Sequence, residues 1–107
     1  MPSGKLGAAL LAAAADTLLC TGEPDKVTTL TVSLCNVGGA TAKVRLAVGT
    51  GAAPAAADYL EYDPPINPGS PPLERTGIVI SAGEKVWVRS DVAATIAARA
   101  HGFVEAA

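Results

Sequence analysis

An all-β fold is predicted for this chain: a single antiparallel β-sandwich or jelly-roll-like barrel of about seven or eight short strands. Three observations predict it. Apolar and polar residues alternate in segment after segment, as in Val44, Leu46 and Val48 against Lys43, Arg45 and Ala47. Clusters of Gly, Pro, Asn, Asp and Ser separate those segments at short intervals. With 107 residues, of which only Trp87, Tyr59, Tyr62 and Phe103 are aromatic, the chain makes one domain whose core must come from Val, Leu and Ile.

Residues 1–15 are expected to form an N-terminal arm or edge strand, with the β-sandwich domain over residues 16–107. Alanine and leucine between Leu6 and Ala15 favour helix, but no polar face recurs there at a helical period. A short uncapped helix would find little to pack on among strands, so an extended segment is the better expectation. Strands follow at Thr17 to Thr21 and at Lys26 to Asn36, the second carrying Val27, Leu30, Val32 and Leu34. A turn at Gly22-Glu-Pro-Asp25 would pair Thr21 with Lys26. Asn36-Val-Gly-Gly39 reads as a tight reversal into Thr41 to Val48, making the clearest half-buried hairpin of the chain.

A loop of small residues leads to Asp58 to Asp63, where alternation puts Tyr59, Glu61 and Asp63 on one side and Leu60 and Tyr62 on the other. The following stretch, Pro64 to Pro72, lacks too many N–H donors for a central strand and is expected to cross the surface as a stiff connector. The last strands are Leu73 to Ile80, Glu84 to Arg89 and Ala94 to Val104. The first two of these read as an amphipathic pair joined at Ser81-Ala-Gly-Glu84. Val86 and Val88 share one face, and Lys85, Trp87 and Arg89 share the other. The only tryptophan therefore stands between two cations, which suggests a contact surface.

Charge and composition exclude several classes. A formal charge of -2 leaves no global basic field for nucleic acid. Lys5 and the apolar run after it imitate a signal peptide, but the run is short and broken by Gly7, so no signal-peptide cleavage is expected. No run approaches the ~20 apolar residues of a membrane-spanning helix, so no membrane association is expected. Cys20 and Cys35 lack Cys-x-x-Cys spacing and His101 is the single histidine, so neither a metal nor another cofactor is expected. Free thiols are the main expectation. The alternative is a bridge between subunits, because alternation puts Cys35 on the polar face with Thr31 and Ser33.

Catalytic chemistry finds few candidates. Asp58, Glu61 and Asp63 are the one carboxylate cluster, and paired carboxylates serve glycoside hydrolysis or calcium binding. Alternation separates Asp58 from the other two, and no EF-hand pattern surrounds them, so a structural or interfacial role is expected. His101 has serines elsewhere in the chain but no Gly-x-Ser-x-Gly, and the glycine pairs lack a Walker lysine, so the chain is not expected to be an enzyme. Lys43, Arg45, Lys85, Arg89 and Arg99 all point outward. They form either a solvated sheet face or a docking surface for an acidic partner with Trp87 as its anchor. Together with His101, Tyr59 and Cys35, these are the candidate interface residues.

The order of several segments resembles the small β-sandwich virion structural proteins encoded among the head and tail genes of tailed bacteriophages. Gly4-Lys-Leu6, Val32-Ser-Leu-Cys-Asn36, Asp58-Tyr-Leu-Glu-Tyr-Asp63, Leu73-Glu-Arg-Thr-Gly-Ile-Val-Ile80, Ala82-Gly-Glu-Lys-Val86 and His101-Gly-Phe-Val-Glu105 carry the likeness. It implies a non-enzymatic module present in many copies, most simply a capsid decoration or cement protein; the alternative is a neck, tail, baseplate or fibre component. It further implies a protein made in the host cytoplasm and located in the virion, homo-oligomeric, whose partners are other capsid, neck or tail proteins. The Pro-Pro connector and the two cysteines depart from the pattern. A reading of another class is a carbohydrate-binding, receptor-binding β-sandwich with Tyr59, Tyr62 and Trp87 as stacking platforms, against which the opposite faces assigned to the two tyrosines count.

Overall fold

The computed structural model describes residues 4–106, so residues 1–3 of the expected N-terminal segment and residue 107 lie outside the described residues. Eight strands follow in chain order: β1 (Gly4–Leu10), β2 (Thr17–Thr21), β3 (Lys26–Asn36), β4 (Ala42–Gly49), β5 (Tyr59–Ile66), β6 (Leu73–Ile80), β7 (Lys85–Ser90) and β8 (Ile96–Ala106). They form two four-stranded sheets, a first in the order β1-β8-β3-β6 and a second in the order β2-β7-β4-β5. Every hydrogen-bonded strand pair is antiparallel. The fold is therefore a β-sandwich, not a closed barrel, with the strand order of a double-sheet jelly roll.

Packing explains the register. Leu30, Val32 and Leu34 of β3, Val44 and Leu46 of β4, Ile80 of β6, Val86 and Val88 of β7 and Ile96 of β8 are buried between the sheets. Alternate residues of each strand face inward together, which is what the period of a pleated strand requires. Leu6 and Leu11 join the same core, so the segment after Gly4 is an integral edge strand of the sandwich. The inward residue near the start of β3 is Thr28 rather than Val27, which lies half-exposed on the outside.

The connections differ from those expected. Ser81-Ala-Gly-Glu84 does not close a hairpin, because β6 belongs to the first sheet and β7 to the second. The turns after Thr21 and after Asn36 likewise carry the chain over the core from one sheet to the other. An arch and a hairpin both need reversal residues and both bury one side of each strand, so local pattern does not separate them. Long-range bonds hold the arches. Gly22 N donates to the Glu84 carbonyl at 2.8 Å and Gly83 N to the Gly22 carbonyl at 3.1 Å, stacking two arches at one end. At the other end buried Asn36 donates Nδ2 to the carbonyls of Ala40 and Ile66, both at 2.8 Å, while its Oδ1 accepts from Gly38 N at 2.9 Å.

The edges are built differently from the centre. The central pairs β3/β8 and β4/β7 run in unbroken register. Each edge strand, by contrast, is bulged against its neighbour: β1 near Leu6, β2 at Leu19, β6 at Thr76 and Gly77, and β5 at two places. Gly77 and Asp63 take φ of 70° and 65° at their bulges. The strand β5 also continues through Pro64 and Pro65 to Ile66, further than expected. Proline is tolerated there because β5 is an edge with one side free of ladder bonds.

Candidate interaction surfaces

None of the four aromatic side chains enters the core; all lie on the outer faces of the sandwich. The second sheet carries three of them. In β7 the inward residues are Val86, Val88 and Ser90, which leaves Lys85, Trp87 and Arg89 half-buried on the outside. Cross-strand register sets Trp87 in a row with Leu18 of β2 and Ala47 of β4, and Ala47 pairs in turn with Tyr59 of β5. Ala47 is 1% exposed although it faces outward, as expected for a methyl group between two large rings. The Trp87 Nε1 is buried and has no acceptor among the described residues.

The neighbouring row places Arg45 between Arg89 and Tyr62. Two like charges opposite each other destabilise a sheet. Here each has its own carboxylate: Arg45 Nε donates to Asp63 Oδ1 at 2.7 Å and Nη2 to Oδ2 at 3.2 Å, and Arg89 Nη1 lies 3.7 Å from Asp16 Oδ1. The Arg45 guanidinium also lies over the Tyr62 ring, 4.1 Å from its centroid. Its hydrogen bond to Asp63 raises the basicity of Arg45 and holds the Asp63 carboxyl below its ordinary range, with Lys43 and Arg89 adding attraction. Lys43, Arg45, Asp63, Arg89 and Asp91 line a cleft of about 100 Å³. Lys85 Nζ donates to the Gly51 carbonyl at 3.2 Å.

The two tyrosines of β5 do not face opposite ways as alternation predicts. Tyr59 and Tyr62 lie on the same face, their rings edge to face with centroids 4.9 Å apart. The bulge at Leu60 inserts an extra residue between the pairs Leu46–Glu61 and Ala47–Tyr59, so simple alternation fails across it. The three carboxylates of this segment also go separate ways. Asp63 serves Arg45, Glu61 accepts from Arg75 Nη1 of β6 at 3.1 Å across the sheet edge, and Asp58 Oδ2 accepts from Ala55 N at 2.8 Å. Among the described residues no three His, Cys, Asp or Glu side chains come together as a metal set.

The remaining candidates sit on the opposite side of the molecule. Arg99 and His101 of β8 are exposed on the outer face of the first sheet, and Cys35 of β3 lies half-exposed beside Ala97. The basic stripe is thereby divided: Lys43, Arg45, Lys85 and Arg89 on one face, Arg99 on the other. Around Arg99 the first sheet presents Ala8, Leu10, Ser33 and Ala97, which line a shallow groove of about 530 Å³. Further along β8, Phe103 pairs with Thr29 of β3, which pairs with Val79 of β6. Phe103 is 66% and Val79 60% exposed. Sequence reasoning did not single out Phe103, Val79 or Leu10. The available signal was that Phe103 keeps phase with the outward residues Arg99 and His101.

Both thiols are free, and they face opposite ways: Cys20 pairs with Val86 on the core side of the second sheet, and Cys35 faces solvent on the first. Burial pushes the Cys20 thiol up to about 11. No protein-family model, no curated protein and no solved structure matches this chain.

Proposed function

We propose that this chain is a non-enzymatic structural protein of a tailed-phage virion that acts by surface contact between many copies and their neighbours, as a capsid decoration or cement protein. The observation that carries the contact role is the placement of every aromatic side chain on an outer face above a core of Val, Leu, Ile and Ala. Aromatic residues supply much of the energy of protein interfaces, and here Tyr62 and Phe103 stand exposed while Trp87 and Tyr59 are half-buried, outside the core. The virion setting rests on the resemblance of the ordered segments given above.

Quantitative mass spectrometry of particles assembled with this chain tests the reading. Hundreds of copies per particle are expected; a single ring of copies would move it to the neck or baseplate, and its absence from particles would overturn it. Trp87→Ala is expected to leave the isolated chain folded and to lower its incorporation, because Trp87 is packed on the outer face. A second reading, a carbohydrate-binding module, is favoured by the contact of Tyr59 with Tyr62 beside the Arg45–Asp63 pair. A glycan array without signal above background removes it.

A further inference from the structure

We propose that the outer face of the first sheet is a self-association surface, on which a second copy of this chain packs face to face with its β8 antiparallel to β8 of the first. The inference deepens the contact reading above and rests on it. Three observations converge on this occupant.

The edges discourage in-plane addition of another chain, since all four edge strands are bulged and β5 carries Pro64 and Pro65. A partner is therefore directed to a face. On the second sheet the arginines are already engaged by Asp63 and Asp16. On the first sheet Arg99 and Glu105 form no ion pair among the described residues, while Phe103 and Val79 are more than half exposed.

The outward residues of β8 are also self-complementary. Arg99 and Glu105 lie three residues to either side of Gly102, and His101 and Phe103 lie one to either side. A two-fold axis through Gly102, lying across the strands, sets Arg99 over Glu105 of the second copy, Glu105 over Arg99, and each His101 over a Phe103. One geometry thus joins opposite charges twice and covers both exposed rings. Isologous two-fold contact is the commonest form of self-association. Four strands at ~4.8 Å spacing and the ~20 Å from Arg99 to Glu105 give a footprint whose burial from both copies is on the order of 1,000 Å², near the lower limit for a specific interface. A reversible, micromolar dimer is the expected strength. Cys35, aligned with Ala97, lies about 17 Å from the axis, so this dimer needs no disulfide.

Analytical ultracentrifugation of the full chain in reductant, from low micromolar to several hundred micromolar, tests the proposal. A concentration-dependent monomer–dimer equilibrium is expected. Arg99→Glu and Glu105→Arg should each weaken it at least tenfold, and the double charge swap should restore it to within a few-fold. Phe103→Ala should weaken it without changing the circular dichroism. A chain that stays monomeric throughout, a double swap that fails to restore association, or a dimer lost with Trp87→Ala but indifferent to Arg99 would each overturn the proposal. Monomeric chain that still enters particles refutes this interface and leaves the virion reading intact; dimeric chain that never enters particles does the reverse.

Discussion

On the second sheet Arg45 is clamped by Asp63 and stacked on Tyr62, Arg89 reaches Asp16, and Trp87 and Tyr59 close over Ala47. On the first sheet Arg99, His101, Phe103 and Val79 stand exposed among small Ala, Ser and Thr side chains, with exposed Lys5 beside His101 and Glu74 beyond Ser33 in the row of Arg99. The same strand alternation built both faces, with the core residues inward and the remainder outward. What differs is whether the outward residues find partners within the chain. A face whose charges and rings are engaged contributes to the monomer and is costly to open, whereas a face of unengaged groups loses little when a partner covers it.

The largest effect expected from breaking this comparison lies at glycines beneath the faces. A Cβ on Gly102 would fall 2.0 Å from the Thr29 carbonyl oxygen and 2.7 Å from the Leu30 Cα, both backbone atoms of β3. Gly102→Ala must therefore push two central strands apart. A loss of about 3 kcal/mol in urea denaturation is expected. Gly49 on the second sheet is the control, since the atoms nearest its Cβ would be those of the Asp58 carboxylate, a side chain that can swing away, and not backbone. Gly49→Ala should cost distinctly less.

The two thiols give the next contrast. An ordinary thiol in the unfolded chain ionises near ~8.5, whereas folding holds Cys20 protonated up to about 11. The unfolded state then binds fewer protons between those values, so folding stability should fall as pH rises through that window, by on the order of 3 kcal/mol. Cys20→Ala should remove that slope and Cys35→Ala should not. A thiol reagent at neutral pH should modify one cysteine of the native chain, Cys35, and both after denaturation.

A reciprocal pair of truncations separates the faces more finely. Trp87→Ala removes a half-buried ring packed in a four-strand row and is expected to cost about 2 kcal/mol of monomer stability. Phe103→Ala should cost less than about 0.5 kcal/mol, yet it is the variant expected to impair self-association. Trp87→Phe should be nearly neutral, because it keeps most of the ring and removes a buried N–H that has no acceptor. Equal destabilisation by Trp87→Ala and Phe103→Ala would erase the distinction between an engaged and an open face.

Strand positions were legible in the sequence to within a few residues, because alternation and turn chemistry are local signals. Trp87 was assigned to the outer face correctly since β7 pairs with β4 in unbroken register. Sheet membership was not legible. Ser81 to Glu84 contains the reversal residues a hairpin would need, and the choice of an arch is made by contacts with Gly22, remote in sequence. Tyr62 was misplaced for a different reason, because the bulge at Leu60 moves its side chain to the other face of β5. The split of Arg99 from the other cations follows from β8 joining the first sheet through β3 and β1, a long-range pairing that no local pattern carries.

The smallest expected effect is also the most direct probe of what closes the second face. Arg45 holds Asp63 through two hydrogen bonds, and both side chains remain partly open to solvent, so screening leaves the pair a minor contributor to stability. Its sign is nevertheless defined. Because the folded carboxyl is held below the unfolded value of ~3.9, the contribution is present above that pH and is lost as pH falls through the lower folded value. Arg45→Met should move the Asp63 titration upward in carbon-detected NMR, release the Tyr62 ring from the guanidinium over it, and leave neutral-pH stability nearly unchanged. Added salt should reproduce part of the shift in the native chain. An Asp63 titration that ignores both Arg45→Met and salt would mean that the second face is closed by packing of its rings alone, and that its ion pairs are incidental to the contrast with the first.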